Sequence, residues 1–340
     1  MGVKEQTLKM ELNTISLSDF VKLGEVIFKK GEVGVPQVMR NSGFFNIVTI
    51  PENTGNTREF SEIDLEEYAD NKGQSDQAER AKVQQGYTKT MTKKRVAKDI
   101  GISYEMIHEN KYQEVVRRLT NLGALVPNRM DLDLAHRLTF MTSTSFSDKN
   151  GSTVDTAMGD TYALGYSAHT IKTAATTYRN ILANNPRLSK GSLQAMRRLI
   201  VEETVNQFGE KVTMSFNTLW TTDDPEDMDM AAELLRSTSN PDQNNAGVIN
   251  VDQARFTHKF FPRVATDANG AVNTDKRHYW GIYSSANSQA YLGIWEEAHM
   301  KGPEEEEFST DDTVFGVRGG YGIVIVSGVF CKVSKGDGSA

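Results

Sequence analysis

Apolar residues recur at intervals of three and four positions between residues 115 and 141. The stripe consists of Val115, Leu119, Leu122, Val126, Met130, Leu134, Leu138 and Met141. This spacing marks one face of an α-helix, which would be roughly 40 Å long at about 1.5 Å per residue. Pro127 interrupts the helix, because its ring meets the carbonyl of Gly123 and one backbone hydrogen bond is lost. Since the stripe keeps its phase across the proline, the sequence predicts one long, bent helix, called the spine helix below.

The stretch from Thr57 to Ser103 has the pattern of a two-legged hairpin arm. Its return leg, Tyr87 to Ala97, alternates threonines with larger residues, the period of a β-strand. The outgoing leg is acidic and the return leg is basic, so their charges are predicted to pair across the strands. Such a hairpin buries too little apolar surface to order itself alone, and we expect it to lie on a neighbouring chain or to remain mobile. The predicted inter-subunit contact residues are Glu62, Asp64, Glu66, Glu67, Lys89, Lys93, Lys94 and Arg95.

The remaining chain mixes helical and strand patterns. Near the N terminus, Ser16 or Ser18 is predicted to cap a helix with Phe20, Leu23 and Ile27 on its apolar face. Gly31, Gly34 and Pro36 are predicted to end this helix. Helical spacing recurs at 170–184, 192–207 and 225–237. Strand patterns occupy 211–220, 256–264, 278–283 and most of 290–333, with a loop at 303–307. Interspersed short helices and strands predict an α+β fold.

Composition narrows the class of protein. The 340 residues carry a formal net charge of −7, which argues against a broad basic surface for nucleic acid. The single cysteine, Cys331, excludes an intramolecular disulfide framework and fits a reducing compartment. The first twenty residues do not resemble a signal peptide, and the most apolar run, Gly322 to Cys331, is too short to span a bilayer. We therefore expect a soluble protein made in the cytoplasm.

Candidate catalytic and metal-binding motifs are incomplete. Glu105 and His108 form a Glu-x-x-His pair, but a carboxylate-bridged metal site needs a second copy and further carboxylates. The stretch 165–168 resembles a nucleophile elbow in which His169 replaces the closing glycine. The acidic runs at 223–227 and 304–307 lack the spacing of a calcium loop, and the glycine-rich run 316–322 lies between two strands, not ahead of a helix. We predict no enzyme activity, no cofactor and no metal.

The order of these parts resembles a tailed-bacteriophage major capsid protein of the Hong Kong 97 type, and more narrowly a Mu-like major head subunit. Two stretches carry the resemblance: YTKTMTKKRVAKDIGISYEMIHENKYQEVVRRL, which joins the hairpin to the spine helix, and FSTDDTVFGVRGGYGIVIVSGVF, in the C-terminal strands. The resemblance covers most of the chain and rests on the order of its elements and on their residue patterns.

The resemblance implies a layout of domains. Residues 1–50 would form an N-terminal arm and residues 51–102 an extended loop. Residues 103–160 and 285–340 would form a peripheral domain containing the spine helix and a β-sheet, and residues 161–284 an axial domain. The arm and the loop would lie across adjacent subunits.

The function implied is self-assembly into an icosahedral shell of pentamers and hexamers in the virion. The shell would enclose double-stranded DNA without sequence-specific binding, would involve no membrane, and would be made and assembled in the host cytoplasm. Portal, scaffold or decoration proteins are possible further partners. The alternatives are an encapsulin-type nanocompartment shell, a phage hydrolase or other enzyme, and another virion component such as a tail protein.

Overall fold

The structure, a computed structural model, describes residues 17–51, 54–75, 77–109, 111–238, 249–307 and 312–339. The first half of the described chain contains three α-helices and six β-strands. In chain order these elements are α1 (Leu17–Val33), β1 (Asn46–Thr49), β2 (Thr57–Leu65), β3 (Val83–Thr92), β4 (Lys94–Ile102), α2 (Tyr104–His108), α3 (Tyr112–Thr139), β5 (Ser145–Ser147) and β6 (Thr153–Asp155).

The second half alternates short strands with two further helices and ends in long strands. Its elements are β7 (His169–Thr170), β8 (Thr177–Tyr178), α4 (Lys190–Glu202), β9 (Thr218–Thr221), α5 (Pro225–Arg236), β10 (Thr257–Phe260), β11 (Trp280–Tyr283), β12 (Ala290–Glu307), β13 (Asp312–Ile325) and β14 (Cys331–Ser334). The mixture confirms the predicted α+β class. Within the described residues, no helix is long and apolar enough to cross a membrane.

The spine helix is α3, and it runs without a break through Pro127. The predicted stripe from Val115 to Leu138 is buried along its whole length, and Met141 is buried just beyond the helix end. Pro127 itself is buried, so packing on this face offsets the backbone hydrogen bond that the proline removes. The prediction of one helix across the proline is confirmed.

Two glycines let α1 cross the spine helix at very close range. A Cβ atom on Gly31 would lie 2.0 Å from the carbonyl oxygen of Thr120, and one on Gly123 would lie 2.2 Å from that of Phe28. Gly31 therefore lies inside α1, because the crossing needs a residue without a side chain there, and the helix ends at Val33, directly before Gly34. Of the residues predicted to end the helix, only Gly31 is misplaced. The proposed cap Ser16 and the side chain of Phe20 lie outside the described residues.

The segment predicted as an N-terminal arm packs into its own subunit over its described part. Ile27 and Phe28 of α1 join the core around Leu119 and Leu122. Phe44 and Phe45 enter the larger core beneath the second half of the spine helix. Strand β1 then pairs in parallel with β12. Residues 1–16 lie outside the described part, and the domain boundaries given above stay a prediction.

Two mixed sheets organise the molecule. The first has the order β1-β12-β13-β4 and packs on the spine helix. The second has the order β10-β9-β11-β14, and its strands carry the buried Trp220 and Trp280. Cys331 opens β14 and is completely buried in this sheet, where burial raises the pKa of its thiol. The last strand therefore belongs to the same sheet as strands from the middle of the chain.

Three local predictions are wrong. Residues 170–184 form no helix but the short antiparallel pair β7–β8, because Ile171 and Tyr178 pack on Val329 and the threonines between them favour extended backbone. The strand predicted at 211–220 shortens to β9. The loop predicted at 303–307 is the end of β12, which pairs with β13 as far as Glu307 and Asp312.

Candidate functional site

The candidate site is the hairpin formed by β2 and β3. The two strands pair antiparallel from Thr57 and Thr92 at the base to Leu65 and Val83 near the tip. The base is fixed to the subunit that carries it. Met91 is buried beside Ile50, Trp295 and Val324, and the ring of Phe60 stacks on Tyr291 with 4.5 Å between centroids. The expectation that the hairpin finds no support in its own subunit is therefore wrong for its base.

The register shifts once along the hairpin, between Ser61 and Ile63. At this β-bulge Glu62 faces two residues of the partner strand, Gly86 and Tyr87, instead of one. A Cβ atom on Gly86 would lie 2.8 Å from Oε2 of Glu62 and 2.7 Å from the amide carbon of Gln207. The glycine thus makes room for a polar contact between the hairpin and the body of the subunit.

The inner face of the hairpin is polar and lies against residues 172–210. Nε2 of Gln207 donates to Oε2 of Glu62 at 2.7 Å, and the backbone N–H of Gln207 donates to Oδ2 of Asp64 at 2.9 Å. Lys172 Nζ donates to the carbonyl oxygen of Gly86 at 3.1 Å. The backbone N–H of Glu67 donates to Oε2 of Glu210 at 3.0 Å. Among the described residues, the acidic leg therefore contacts the body of its own subunit through hydrogen bonds and not through ion pairs.

Toward the tip, the outer face of the same hairpin carries an apolar patch that is open to solvent. Ile63 is 66% exposed, Leu65 is 57% exposed, and Val83, which pairs with Leu65 across the strands, is 63% exposed. In a protein that functions as a monomer, a surface hairpin would turn these apolar side chains inward and its carboxylates outward. In this hairpin Glu62 and Asp64 instead face the subunit, and the three apolar side chains form an exposed patch.

The basic residues of the return leg do not pair with the acidic leg, so the predicted cross-strand charge pairing is wrong. Lys89 Nζ contacts Asp155 at 2.5 Å, Lys93 contacts Glu296 at 3.5 Å, and Lys94 contacts Asp133 and Asp148, each at 3.0 Å.

The reason is that the chain changes sheet between Lys93 and Lys94. Strand β3 ends at Thr92, and β4, which carries Lys94 and Arg95, pairs with β13 in the first sheet. Arg95 is exposed and has no ion-pair partner within the part of the chain that the structure describes. Of the four predicted acidic contacts, Glu66 alone pairs across the hairpin among these described residues, with Lys82 at 3.5 Å.

A charged cluster beneath the hairpin base joins α3, β4 and β13 to Asp148 in the turn between β5 and β6. Arg129 of the spine helix contacts Asp148 at 2.5 Å and Asp133 at 3.0 Å, and Lys94 bridges the same two carboxylates. The hydroxyl of Tyr321 donates to Oδ2 of Asp133 at 2.6 Å. Burial alone would raise the pKa of Asp148, but hydrogen bonds from Arg129 and Lys94 outweigh it and hold the pKa well below its ordinary value. No spacing in the sequence brings these residues together.

This cluster gives a first prediction. Asp148→Asn should lower the free energy of unfolding by about 3 kcal/mol, because Arg129 and Lys94 would lose a buried charge partner. Urea denaturation followed by tryptophan fluorescence measures the effect. Glu114→Gln, which breaks only the exposed pair with Arg118, is the control and should cost about 0.5 kcal/mol. Because the folded-state pKa of Asp148 is depressed, its contribution is present above the ordinary value of 3.8 and lost as the pH falls below it. Equal effects of the two substitutions would contradict this role.

The candidate catalytic and metal motifs are not assembled into a site. His169 is buried, with its ring nitrogens occupied by Asp160 at 2.7 Å and by the carbonyl oxygen of Leu164 at 3.2 Å. Glu105 and His108 lie on the short helix α2. Run 316–322 lies inside the single strand β13, so the prediction that it separates two strands is wrong, although it does not precede a helix.

Among the described residues there is one group of potential metal ligands, Asp224, Glu226 and His278, whose ligand atoms lie within 4.8 Å of one another. Asp224 already caps α5, because its carboxylate accepts from the N–H of Glu226 at 3.0 Å. His278 is held by Asp227, with 3.0 Å between Nδ1 and Oδ2. These contacts account for the group as the capped start of a helix. The side chains of the second acidic run, 304–307, lie outside the described part of the structure.

Comparison with known proteins gives three kinds of result. A family model described as phage capsid protein matches residues 86–330, well over half of the chain. No curated protein sequence matches. Among solved structures, the capsid of Myoviridae phage XM1 is similar with a TM-score of 0.51 at 13% identity, over 87% of this chain and 91% of that one.

Two further structures are similar at lower scores. A chain from Mycobacterium phage Adephagia has a TM-score of 0.48 at 11% identity, over 87% of this chain and 89% of that one. The virus-like particle from Pyrococcus furiosus has a TM-score of 0.47 at 11% identity, over 92% of this chain and 98% of that one.

The family match extends from the return strand of the hairpin, through the spine helix and the middle of the chain, to the C-terminal strands. It favours a phage capsid over an encapsulin, and the likeness to the phage XM1 capsid supports the Hong Kong 97-type fold. The chain therefore belongs to the phage capsid protein family, has the Hong Kong 97-type fold, and is a major capsid protein of a bacteriophage virion.

Proposed function

We propose that the chain closes into an icosahedral shell of pentamers and hexamers, and that the outer face of the β2–β3 hairpin supplies one of the contacts between subunits. The observation that carries this proposal is the reversed polarity of the hairpin. The carboxylates of Glu62 and Asp64 face its own subunit, and Ile63, Leu65 and Val83 face solvent. A second copy of the chain is the partner that an assembling shell offers at this position, and its apolar surface would cover the exposed face.

The charged contact residues fall into three groups under this proposal. Glu62, Asp64, Lys89, Lys93 and Lys94 bond within the subunit, so they position the hairpin. Glu66, paired with Lys82 near the tip, holds the two legs together. The side chains of Glu67 and Arg95 have no ion-pair partner among the described residues and are the ones proposed to reach a neighbouring subunit.

The same proposal assigns a container role without catalysis. Both ring nitrogens of the buried His169 are already in contact, with Asp160 and with the carbonyl oxygen of Leu164, so this histidine is not free to activate a nucleophile. This supports a role in the fold and not in catalysis. A net charge of −7 gives the wall no broad attraction for the phosphates of packaged double-stranded DNA. We propose assembly in the host cytoplasm, with portal, scaffold or decoration proteins as further partners.

The test is expression of the full chain, followed by size-exclusion chromatography and negative-stain electron microscopy. Closed icosahedral particles, or pentamers and hexamers that form them when concentrated, are the expected result. Tubes or stacked rings would favour a tail component. A protein that remains monomeric at every concentration and turns over a substrate would overturn the proposal.

A further inference from the structure

The contact between the hairpin and its own subunit contains a buried carboxyl group with no cation beside it. Glu62 is 6% exposed, although it lies on a two-stranded hairpin whose opposite face is in solvent. Its hydrogen-bond partner is the amide of Gln207, at 2.7 Å, and Ser327 and Gln289 also reach the carboxyl. No ion pair to Glu62 exists among the residues that the structure describes. A buried carboxylate without a cation is costly, whereas a neutral carboxylic acid is not.

The groups around Glu62 are mostly acidic or neutral. Those that face it from the surrounding elements are Asp64 on the same strand, Asp160 with its bonded His169, the phenols of Tyr178 and Tyr291, and Lys172. Lys172 directs its ammonium group to the carbonyl oxygen of Gly86, not to the carboxyl. Lys332 lies behind the ring of Tyr178, 5.3 Å from its centroid, and donates to Asn180. The environment therefore disfavours negative charge on Glu62.

Two glutamine side chains that contact this carboxyl also carry an unpaired oxygen, and a proton on Glu62 could be donated to one of them. The side-chain oxygens Oε1 of Gln207 and Oε1 of Gln289 are buried and have no hydrogen-bond partner. A neutral Glu62 has an O–H group to donate, and rotation of the Gln207 amide would place its oxygen against that group. The ionised form has nothing to give either oxygen.

We propose that Glu62 is a proton-dependent clasp: its neutral form holds the inner face of the hairpin on the subunit body, and its ionised form releases that face. Release would free the segment beyond the β-bulge to reorient, while Met91 and Phe60 keep the base in place. The inference goes beyond the proposed shell function, because it concerns the hairpin within one subunit and holds whether or not shells form.

The direction of the pH dependence follows from burial. Desolvation, with a smaller contribution from Asp64, raises the pKa of Glu62 from its ordinary 4.5 to about 7 in the docked state. The docked hairpin thus binds the proton more tightly than the released one. The contribution of Glu62 to the stability of the docked hairpin is therefore largest below pH 4.5, falls between pH 4.5 and 7, and is smallest above pH 7. Burial also raises the pKa of Asp64, which acts in the same direction.

Hydrogen–deuterium exchange on the unassembled full chain tests the clasp. The backbone N–H of Gln207 donates to Asp64 and that of Glu67 donates to Glu210, so both amides report docking. After correction for intrinsic exchange rates, we expect their protection in the wild type to fall by roughly a hundredfold between pH 4.5 and 7. Glu62→Gln, which keeps the shape of the neutral acid, should reduce this dependence at least tenfold. Glu59→Gln, an exposed glutamate on the same strand, should behave as the wild type.

A second measurement uses only the wild-type protein, so it does not depend on whether a variant folds. The infrared spectrum of the wild type should show a protonated carboxyl band at pH 6 that disappears at pH 8. A wild type with no such band, pH-independent protection of the two amides, or a Glu62→Gln variant that retains the full wild-type dependence would each overturn the clasp. Because none of these measurements involves particles, a failure here leaves the shell function to its own test.

Discussion

The double substitution Ile63→Asp and Leu65→Asp is expected to stop shell formation while leaving the subunit folded. Both side chains lie on the open face of the hairpin, 66% and 57% exposed, so the monomer loses little packing. An interface formed there would have to bury two carboxylates without partners, which costs several kcal/mol per site and is repeated in every subunit of a shell. Particle yield measured by gradient sedimentation and electron microscopy should fall to background.

The matched control is Val272→Asp, which changes a side chain that is 85% exposed and lies outside the hairpin. Circular dichroism and the thermal midpoint of all three proteins should agree within a few degrees. Normal particles from the double variant would mean that the hairpin's outer face is not a contact between subunits.

The second large effect is expected where α1 crosses the spine helix. Gly123→Ala would place a methyl group 2.2 Å from the carbonyl oxygen of Phe28, so the two helices must separate. Separation opens the core around Leu119 and Leu122, and overpacking of this kind costs about 3 kcal/mol. The urea midpoint of the unassembled chain should fall accordingly.

Gly191→Ala provides the control, because Gly191 also lies in a helix but has nothing within 4 Å of the position that the new methyl group would occupy. That change should be neutral or stabilising by up to about 1 kcal/mol, since alanine favours helix more than glycine does. A loss of stability as large as that of Gly123→Ala would show that the close crossing is not the cause.

Elements governed by local periodicity were predictable from the sequence. The spine helix, α4 and α5 lie where the spacing of apolar residues places them, because each buries one face along a regular period. The α+β class and the order of hairpin, spine helix and C-terminal strands followed from the same patterns. The family resemblance rested on that order, and the match over residues 86–330 agrees with it.

Features that depend on contacts distant in sequence were not predictable. Residues 170–184 have helical spacing, yet Ile171 and Tyr178 pack against Val329, which lies more than 140 positions later in the chain. The partners of Lys94 lie on the spine helix and at Asp148, and no periodicity along the chain indicates them.

The hairpin shows the same limit at the candidate site. The alternation of β2 places Ile63 and Leu65 on one face and Glu62 and Asp64 on the other, but it does not say which face is buried. Local rules would bury Ile63 and Leu65 and expose Glu62, the opposite of what the fold does. The contacts with Gln207 and its neighbours, together with the β-bulge at Gly86, determine which face of the hairpin packs on the subunit.

The complete burial of Cys331 has a practical consequence for studying this capsid protein. Its thiol is enclosed in the second sheet and resists ionisation, so maleimide reagents have no native target while the fold is intact. A cysteine introduced at Ser75, on the exposed tip of the hairpin, would be modified selectively. Single-site fluorophores or spin probes can thus follow the hairpin during assembly without first removing a natural cysteine.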